Sequence, residues 1–147
     1  MGYAHTFIQK KKFNIKEWHS FTEFVERLTH YTPTICGPDG TGVPLISNDE
    51  VLFNGNAGTG DDYETFAIYR DIQDIGVSGI PKGFSFCKTD RKPYDTAVVA
   101  CLVFIHSMNP KLFKMTSNGN ISNWHDGLHL CKAVSGLDNL IIPDLDS

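Results

Sequence analysis

The sequence predicts an α+β fold, a mostly antiparallel sheet with about three helices against it. Three observations lead there. The elements run strand, helix, several strands, helix, strand, helix, an order compatible with a ferredoxin-like split βαβ topology. A length of 147 residues with 41% hydrophobic content supports one core and one domain spanning residues 1–147, with a loosely held tail from 138 to 147. Glycine, proline, asparagine and aspartate crowd Pro33 to Gly60, where only short apolar runs interrupt them, as expected of turns joining short strands.

Taken in order, Tyr3 to Lys11 alternates Tyr3, His5 and Phe7 against Ala4, Thr6 and Ile8, which suits a first strand. Asn14 and Glu17 form a capping-box signature, and Trp18, Phe21, Val25 and Leu28 recur at helical spacing until Thr32 and Pro33 end the helix. Val43 to Ile46 and Val51 to Phe53 suggest short strands or a hairpin. Glu64 to Tyr69 and Phe84 to Lys88 read as further strands around an exposed connection. An apolar helix follows from Pro93 to about Met108, stopped by Asn109 and Pro110. Leu112 to Thr116 makes a last strand. Ser122 is the expected cap of a final helix with Trp124, Leu128, Cys131 and Val134 on one face and Gly136 at its end.

Charge and composition narrow the function. A formal charge of −4 and a pI near 5.8 argue against a protein that coats nucleic acid, and no apolar run reaches about 18 residues, so no membrane span is expected. The N-terminus resembles neither a secretory signal nor, except weakly, a myristoylation site, which makes a cytoplasmic location the simplest expectation. Cys36, Cys87, Cys101 and Cys131 lack metal-type spacing and mostly sit in apolar elements, so they read as reduced, buried thiols.

Against this acidic background, FCKTDRKPYD at 86–95 concentrates Lys88, Arg91 and Lys92 where a strand turns into a helix. Helix N-termini carry positive dipole, so these cations require an anion nearby. The segment is either an anion-binding turn, with Thr89 and backbone N–H groups around a phosphate, or a closed salt-bridge network to Asp90, Asp95 or Glu64. Walker and GxGxxG spacings are absent. His5, in the first strand, is a candidate general acid or base, and Glu64 a candidate partner or base beside it. His106 falls where a cation would favour the helix C-terminus, while His19 and His30 are expected in solvent. His125 and His129 are four apart but lack a third ligand, and the Asp61-Asp62 loop lacks the EF-hand pattern, so neither a metal nor a cofactor is expected.

GYAHTF near the start, FNG at 53–55, ETF at 64–66, FCKTDRKPYD at 86–95 and SNG at 117–119 together resemble a family of small phage and bacterial proteins described only as hypothetical. That family's pattern reads GYTHYW, FCKTARKPYD and SSDG with a following tryptophan; here Asp90 stands for a common alanine and Asn118 for the usual aspartate. The resemblance implies a phage-linked role and a mostly polar set of site residues: Tyr3, His5, Asn54, Glu64, Lys88, Thr89, Arg91, Lys92, Tyr94, Asp95 and Ser117.

The expected function is binding of a phosphate-bearing small molecule, a nucleotide-like immune signal, to sequester it or to cleave it without a metal. In the cleaving case His5 and Glu64 are catalytic, Lys88 and Arg91 stabilise phosphoryl charge, and Tyr94 offers a stacking surface. The alternative is an acidic inhibitor that binds a host protein and uses FCKTDRKPYD only to hold its fold. A homo-oligomer is compatible with either, and a nucleic-acid partner is disfavoured.

Overall fold

The computed structural model describes residues 2–145. Its elements are β1 (Ala4–Gln9), α1 (Ile15–Tyr31), β2 (Leu45–Ile46), β3 (Glu50–Phe53), a 3-10 turn (Ala57–Thr59), β4 (Phe66–Tyr69), β5 (Phe84–Lys88), α2 (Asp95–Met108), β6 (Phe113–Ser117) and α3 (Ile121–Ser135). The class is α+β, as the sequence predicts. The strands divide into two antiparallel sheets, ordered β5-β1-β6 and β2-β3-β4. In the first sheet β1 lies antiparallel between β5 and β6, which α2 connects, so β5–α2–β6 is a split βαβ unit; a full ferredoxin-like sheet is not formed among the described residues, because β2, β3 and β4 pair in a sheet of their own.

Local chemistry accounts for the helix starts. Asn14 Oδ1 accepts from the Glu17 amide at 2.8 Å while Glu17 Oε1 accepts from the Asn14 amide at 2.9 Å, a reciprocal cap of the kind whose loss costs about 1 kcal/mol. Helix α1 then buries Trp18, Phe21, Phe24, Val25 and Leu28 as one stripe. The cap of α3 is Asn120, not Ser122: Asn120 Oδ1 accepts from the Asn123 amide, and Asn123 returns the bond. The box therefore starts two residues earlier than the serine suggests, and Ser122 is left on the surface. Gly136, left-handed at φ 72°, closes α3.

Helix α2 is apolar all round, and Ala97 to Ile105 are all buried, so it runs through the core with no solvent face along that stretch. Gly127 lets α3 approach it, because a Cβ there would collide with Val99. Both sheets and all three helices contribute to one hydrophobic cluster. Phe7 joins the sheets, with edge contacts to Phe66 at 5.8 Å and Phe113 at 5.7 Å between centroids.

All four cysteines are free, and three of them are buried. The segment after Asp138, expected to be loose, is tied at Ile141, whose amide donates to Ser107 Oγ at 2.9 Å, and Leu140, Ile142 and Leu145 pack against the core. Asp146 and Ser147 lie outside the described residues. No helix among the described residues is long and apolar enough to cross a membrane.

Candidate functional site

The cationic segment folds as a tight turn between β5 and α2. The Lys92 amide donates to the Thr89 carbonyl at 3.0 Å, and Asp90 and Arg91 between them have φ of 52° and 58°, the positive-φ signature of a type I′ turn. Neither is glycine. Two L-residues in the left-handed region cost about 1–2 kcal/mol each, so other contacts must hold them there. The amides of Thr89 and Asp90 both donate to the Tyr3 carbonyl at 3.1 Å, and the Arg91 guanidinium lies 4.0 Å from the centroid of the Tyr3 ring.

Beneath the turn lies a polar network drawn from three strands or their ends and two helices. His5 is 0% exposed and sits edge-on to Tyr3 and Trp124. Its Nε2 lies 2.7 Å from Asp95 Oδ1, which also accepts from the buried Thr89 hydroxyl at 2.6 Å. Its Nδ1 lies 2.8 Å from Ser117 Oγ. That serine oxygen already accepts from the Gly119 amide at 2.9 Å and from Trp124 Nε1 at 3.2 Å. With both lone pairs used, Ser117 donates its proton to Nδ1, and the ring's own proton belongs on Nε2, facing Asp95. The set Ser117, His5, Asp95 has the members of a nucleophile–base–orienter relay, but an oxygen with both lone pairs engaged has none free to attack. It is a scaffold for Asp95 and the turn above it.

Arg91, Lys92, Asp95 and Thr96 form one wall of a cleft of about 280 Å³ that Ser122, Asn123 and Asp126 of α3 complete. Among the described residues none of Lys88, Arg91 and Lys92 has a carboxylate within 4.0 Å. Of the carboxylates that could have closed a salt-bridge network, Asp95 holds His5 and Thr89, Glu64 Oε1 accepts from the Lys88 amide at 2.7 Å rather than its ammonium, and Asp90 forms no ion pair among the described residues. Lys88 extends over the Tyr63 ring instead, 5.5 Å from its centroid. Helix α2 begins at this wall without a side-chain cap, and the amides of Thr96 and Ala97 meet no acceptor among the described residues.

Tyr3 forms part of the same cleft and of a second one, about 340 Å³, on the other side of Arg91. The residue is 4% exposed, and its hydroxyl, buried over Gly119, has no well-directed hydrogen bond among the described residues, because the neighbouring Ser117 oxygen is saturated. Burial foremost, then the Asp95 charge, push the Tyr3 pKa above the usual tyrosine value, with Arg91 opposing them.

The remaining expected residues form a separate brace. Tyr94, fully buried, donates its hydroxyl to the Glu64 carbonyl at 2.6 Å, and burial drives its pKa well above the usual value. It therefore offers no stacking surface to a ligand. Asn54 Oδ1 accepts from the amides of Gly55 and Tyr63, and its Nδ2 donates to the Tyr63 carbonyl at 3.0 Å, closing the loop that leads to β4. Gly55 completes the FNG motif because a Cβ there would run into the Asp61 carbonyl first and the Tyr94 ring next.

Tyr3, His5, Thr89, Asp95 and Ser117 thus meet in one network, with Arg91 and Lys92 at its rim, whereas Asn54, Glu64, Lys88 and Tyr94 brace β3, β4 and β5. His5 and Glu64 do not form the acid–base pair the sequence suggested; each is bonded to different partners. His106 does not act as a charged cap: its Nδ1 is buried without a partner among the described residues, and burial lowers its pKa. Thr96, Asn123 and Asp126 escape a reading of the sequence, since each looks like an ordinary solvent-facing helix residue, and Ser122 was read only as a helix cap. Among the described residues no group of three or more histidine, cysteine, aspartate or glutamate side chains is arranged for a metal ion. Compared with protein-family models, with characterised proteins and with solved structures, the chain matches none.

Proposed function

We propose that the chain binds a phosphate-bearing small molecule, a nucleotide-type signal, in the cleft between the β5–α2 turn and α3, and sequesters it. One observation carries this reading: Arg91 and Lys92 border a cleft with no carboxylate within 4.0 Å among the described residues, on a turn that holds two non-glycine residues at positive φ. Uncompensated cations at a helix start favour an anion, and phosphate matches both the charges and the free amide of Thr96 in the cleft wall. Asp126, across the cleft, is an acceptor suited to a sugar hydroxyl or a base amino group.

Sequestration is favoured over cleavage because His5 has no exposure and both its nitrogens are engaged. A chain that removes such a signal fits a phage counter-defence role, in keeping with the family resemblance. The test is incubation with a panel of mono-, di- and cyclic nucleotides, followed by mass spectrometry of bound and denaturation-released ligand. A ligand released intact supports binding and sequestration, with Arg91→Ala and Lys92→Ala each weakening affinity about tenfold or more, as expected for a lost charge-assisted bond. No binding by any nucleotide, or binding unchanged in both variants, overturns the assignment of the cleft. Released product in place of ligand overturns sequestration.

A further inference from the structure

The sheet β5-β1-β6 has one face on the core and one face turned out. Along β1 the alternation is strict: His5, Phe7 and Gln9 are buried, while Ala4, Thr6 and Ile8 are partly exposed. The registers carry these outward positions across the sheet as three rows. Phe84, Ile8 and Lys114 form the first, Phe86, Thr6 and Thr116 the second, and Lys88 with Ala4 the third.

The chemistry of this face departs from that of the chain. The sequence holds 17 acidic residues against 13 lysines and arginines, yet no acidic residue stands at an outward position of the three strands. Lys88 and Lys114 do. The exposed Lys10 and Lys82 stand where β1 ends and β5 begins, brought together by the bond from the Gln9 amide to the Gly83 carbonyl at 2.9 Å. None of the four lysines forms an ion pair among the described residues. Between them lie two aromatic rings: Phe86 is 51% exposed, and its centroid is 6.2 Å from that of the half-buried Phe84. Thr6 and Thr116, directly opposite in register, keep hydroxyls that make no hydrogen bond among the described residues.

We propose that this face binds single-stranded RNA, with bases stacked on Phe84 and Phe86, phosphates held by the four lysines and ribose hydroxyls met by Thr6 and Thr116. Exposed rings take up the flat faces of bases, which a duplex hides in its own stack, so the strand must be single. Lysines without acidic neighbours attract phosphate, and they repel a second copy of the same face, which would set lysine against lysine. An acidic protein would answer the lysines alone; the rings call for flat partners, which bases supply. The threonine hydroxyls, able both to donate and to accept, suit the 2′-hydroxyl that DNA lacks. A net charge of −4 opposes coating of nucleic acid by the whole molecule, and this face is a local exception to it. It is also separate from the cleft beside Arg91 and Lys92, which share none of its rows.

The test is fluorescence anisotropy with a labelled twelve-nucleotide RNA of mixed sequence, the same RNA annealed to its complement, and the DNA of the same sequence. At about 50 mM salt the single-stranded RNA is expected to bind at least tenfold more tightly than either competitor, with log K falling against log salt by about 0.7 for each lysine engaged. Phe86→Ala should weaken binding about tenfold and Phe86→Trp should preserve it, both at a site exposed enough to leave the fold intact. Lys114→Ala should lower affinity and reduce the salt slope by about 0.7, whereas Arg91→Ala should change neither. Absence of binding, equal binding of the duplex or the DNA, or affinity unmoved by Phe86→Ala and Lys114→Ala overturns the proposal. So does loss of RNA binding in Arg91→Ala, which would put the strand in the cleft. A dimer in sedimentation equilibrium that Phe86→Ala dissociates overturns it too, since the occupant would then be a second copy.

Discussion

Asp95 and His5, ninety positions apart in the chain, meet at 2.7 Å, and the same carboxylate oxygen takes the Thr89 hydroxyl at 2.6 Å. One oxygen thus fixes the start of α2, the start of β1 and the residue that follows β5. Asp95→Ala strands two buried donors and is expected to cost about 2–4 kcal/mol, whereas Asp95→Asn keeps an acceptor oxygen and should cost about 1 kcal/mol. Urea unfolding of the two variants checks this, and equal losses would contradict the network.

Tyr3 and Gly119 are expected to be coupled. A methyl group at position 119 would run into the Tyr3 hydroxyl, so Gly119→Ala should destabilise by about 1–3 kcal/mol. Tyr3→Phe removes a buried hydroxyl that lacks a well-directed partner while keeping the ring under Arg91, and should be neutral or stabilising by up to about 1 kcal/mol. In the double variant the Gly119→Ala penalty should shrink. A double-mutant cycle of thermal unfolding measures the coupling, and strict additivity would deny the contact.

Relaxing the turn should stabilise the chain and leave the cleft intact. Asp90 holds φ of 52°, and Asp90→Gly is expected to raise stability by about 0.5–1 kcal/mol at unchanged ligand affinity. The same exchange at Arg91 also removes its stack on Tyr3 and a cleft cation, so it should reduce binding. Paired denaturation and binding measurements separate the two.

The pH dependence follows from buried groups. Burial pushes the thiols of Cys87 and Cys131 up to about 12 from 9.0. Below pH 9 both folded and unfolded chains keep these protons; between 9 and 12 only the unfolded chain loses them, so stability falls as pH rises, by up to about 1.4 kcal/mol per pH unit for each thiol. Tyr94 and Tyr3, both raised, add to the same limb above pH 10. His106, lowered from 6.5 by burial, acts oppositely: the unfolded chain takes up its proton first as pH falls below 6.5, and stability is lost in that direction. Melting temperatures from pH 5 to 11 should form a plateau that declines at both ends, and a flat profile above pH 9 would contradict the buried thiols.

Features set by neighbours in the chain were legible in the sequence. The Asn14–Glu17 cap, β5 over Phe84–Lys88 and the apolar body of α2 all follow from local patterns. Asn120 was displaced by Ser122 because two good caps stood two residues apart, and only the reciprocal bond with Asn123 chooses between them. The cationic turn was recognisable as an anomaly, but its lack of carboxylate partners was not, because that depends on where Asp95 and Glu64 spend their oxygens. Tyr94 read as a stacking surface since burial cannot be seen in a single residue type. The division into two sheets rests on which strands pair across a long connection, and no local signal records it.

The uninterrupted burial of Ala97 to Ile105 has a consequence for how the molecule opens. With no solvent face, those amides have no route to water that leaves the rest of the core standing. Their hydrogen exchange should therefore report complete unfolding, while the wholly exposed 71–80 connection exchanges through local fluctuations. Helix α2 makes occupancy of the cleft beside it and the global stability one thermodynamic quantity: whatever occupies its first turn should slow exchange along its entire length.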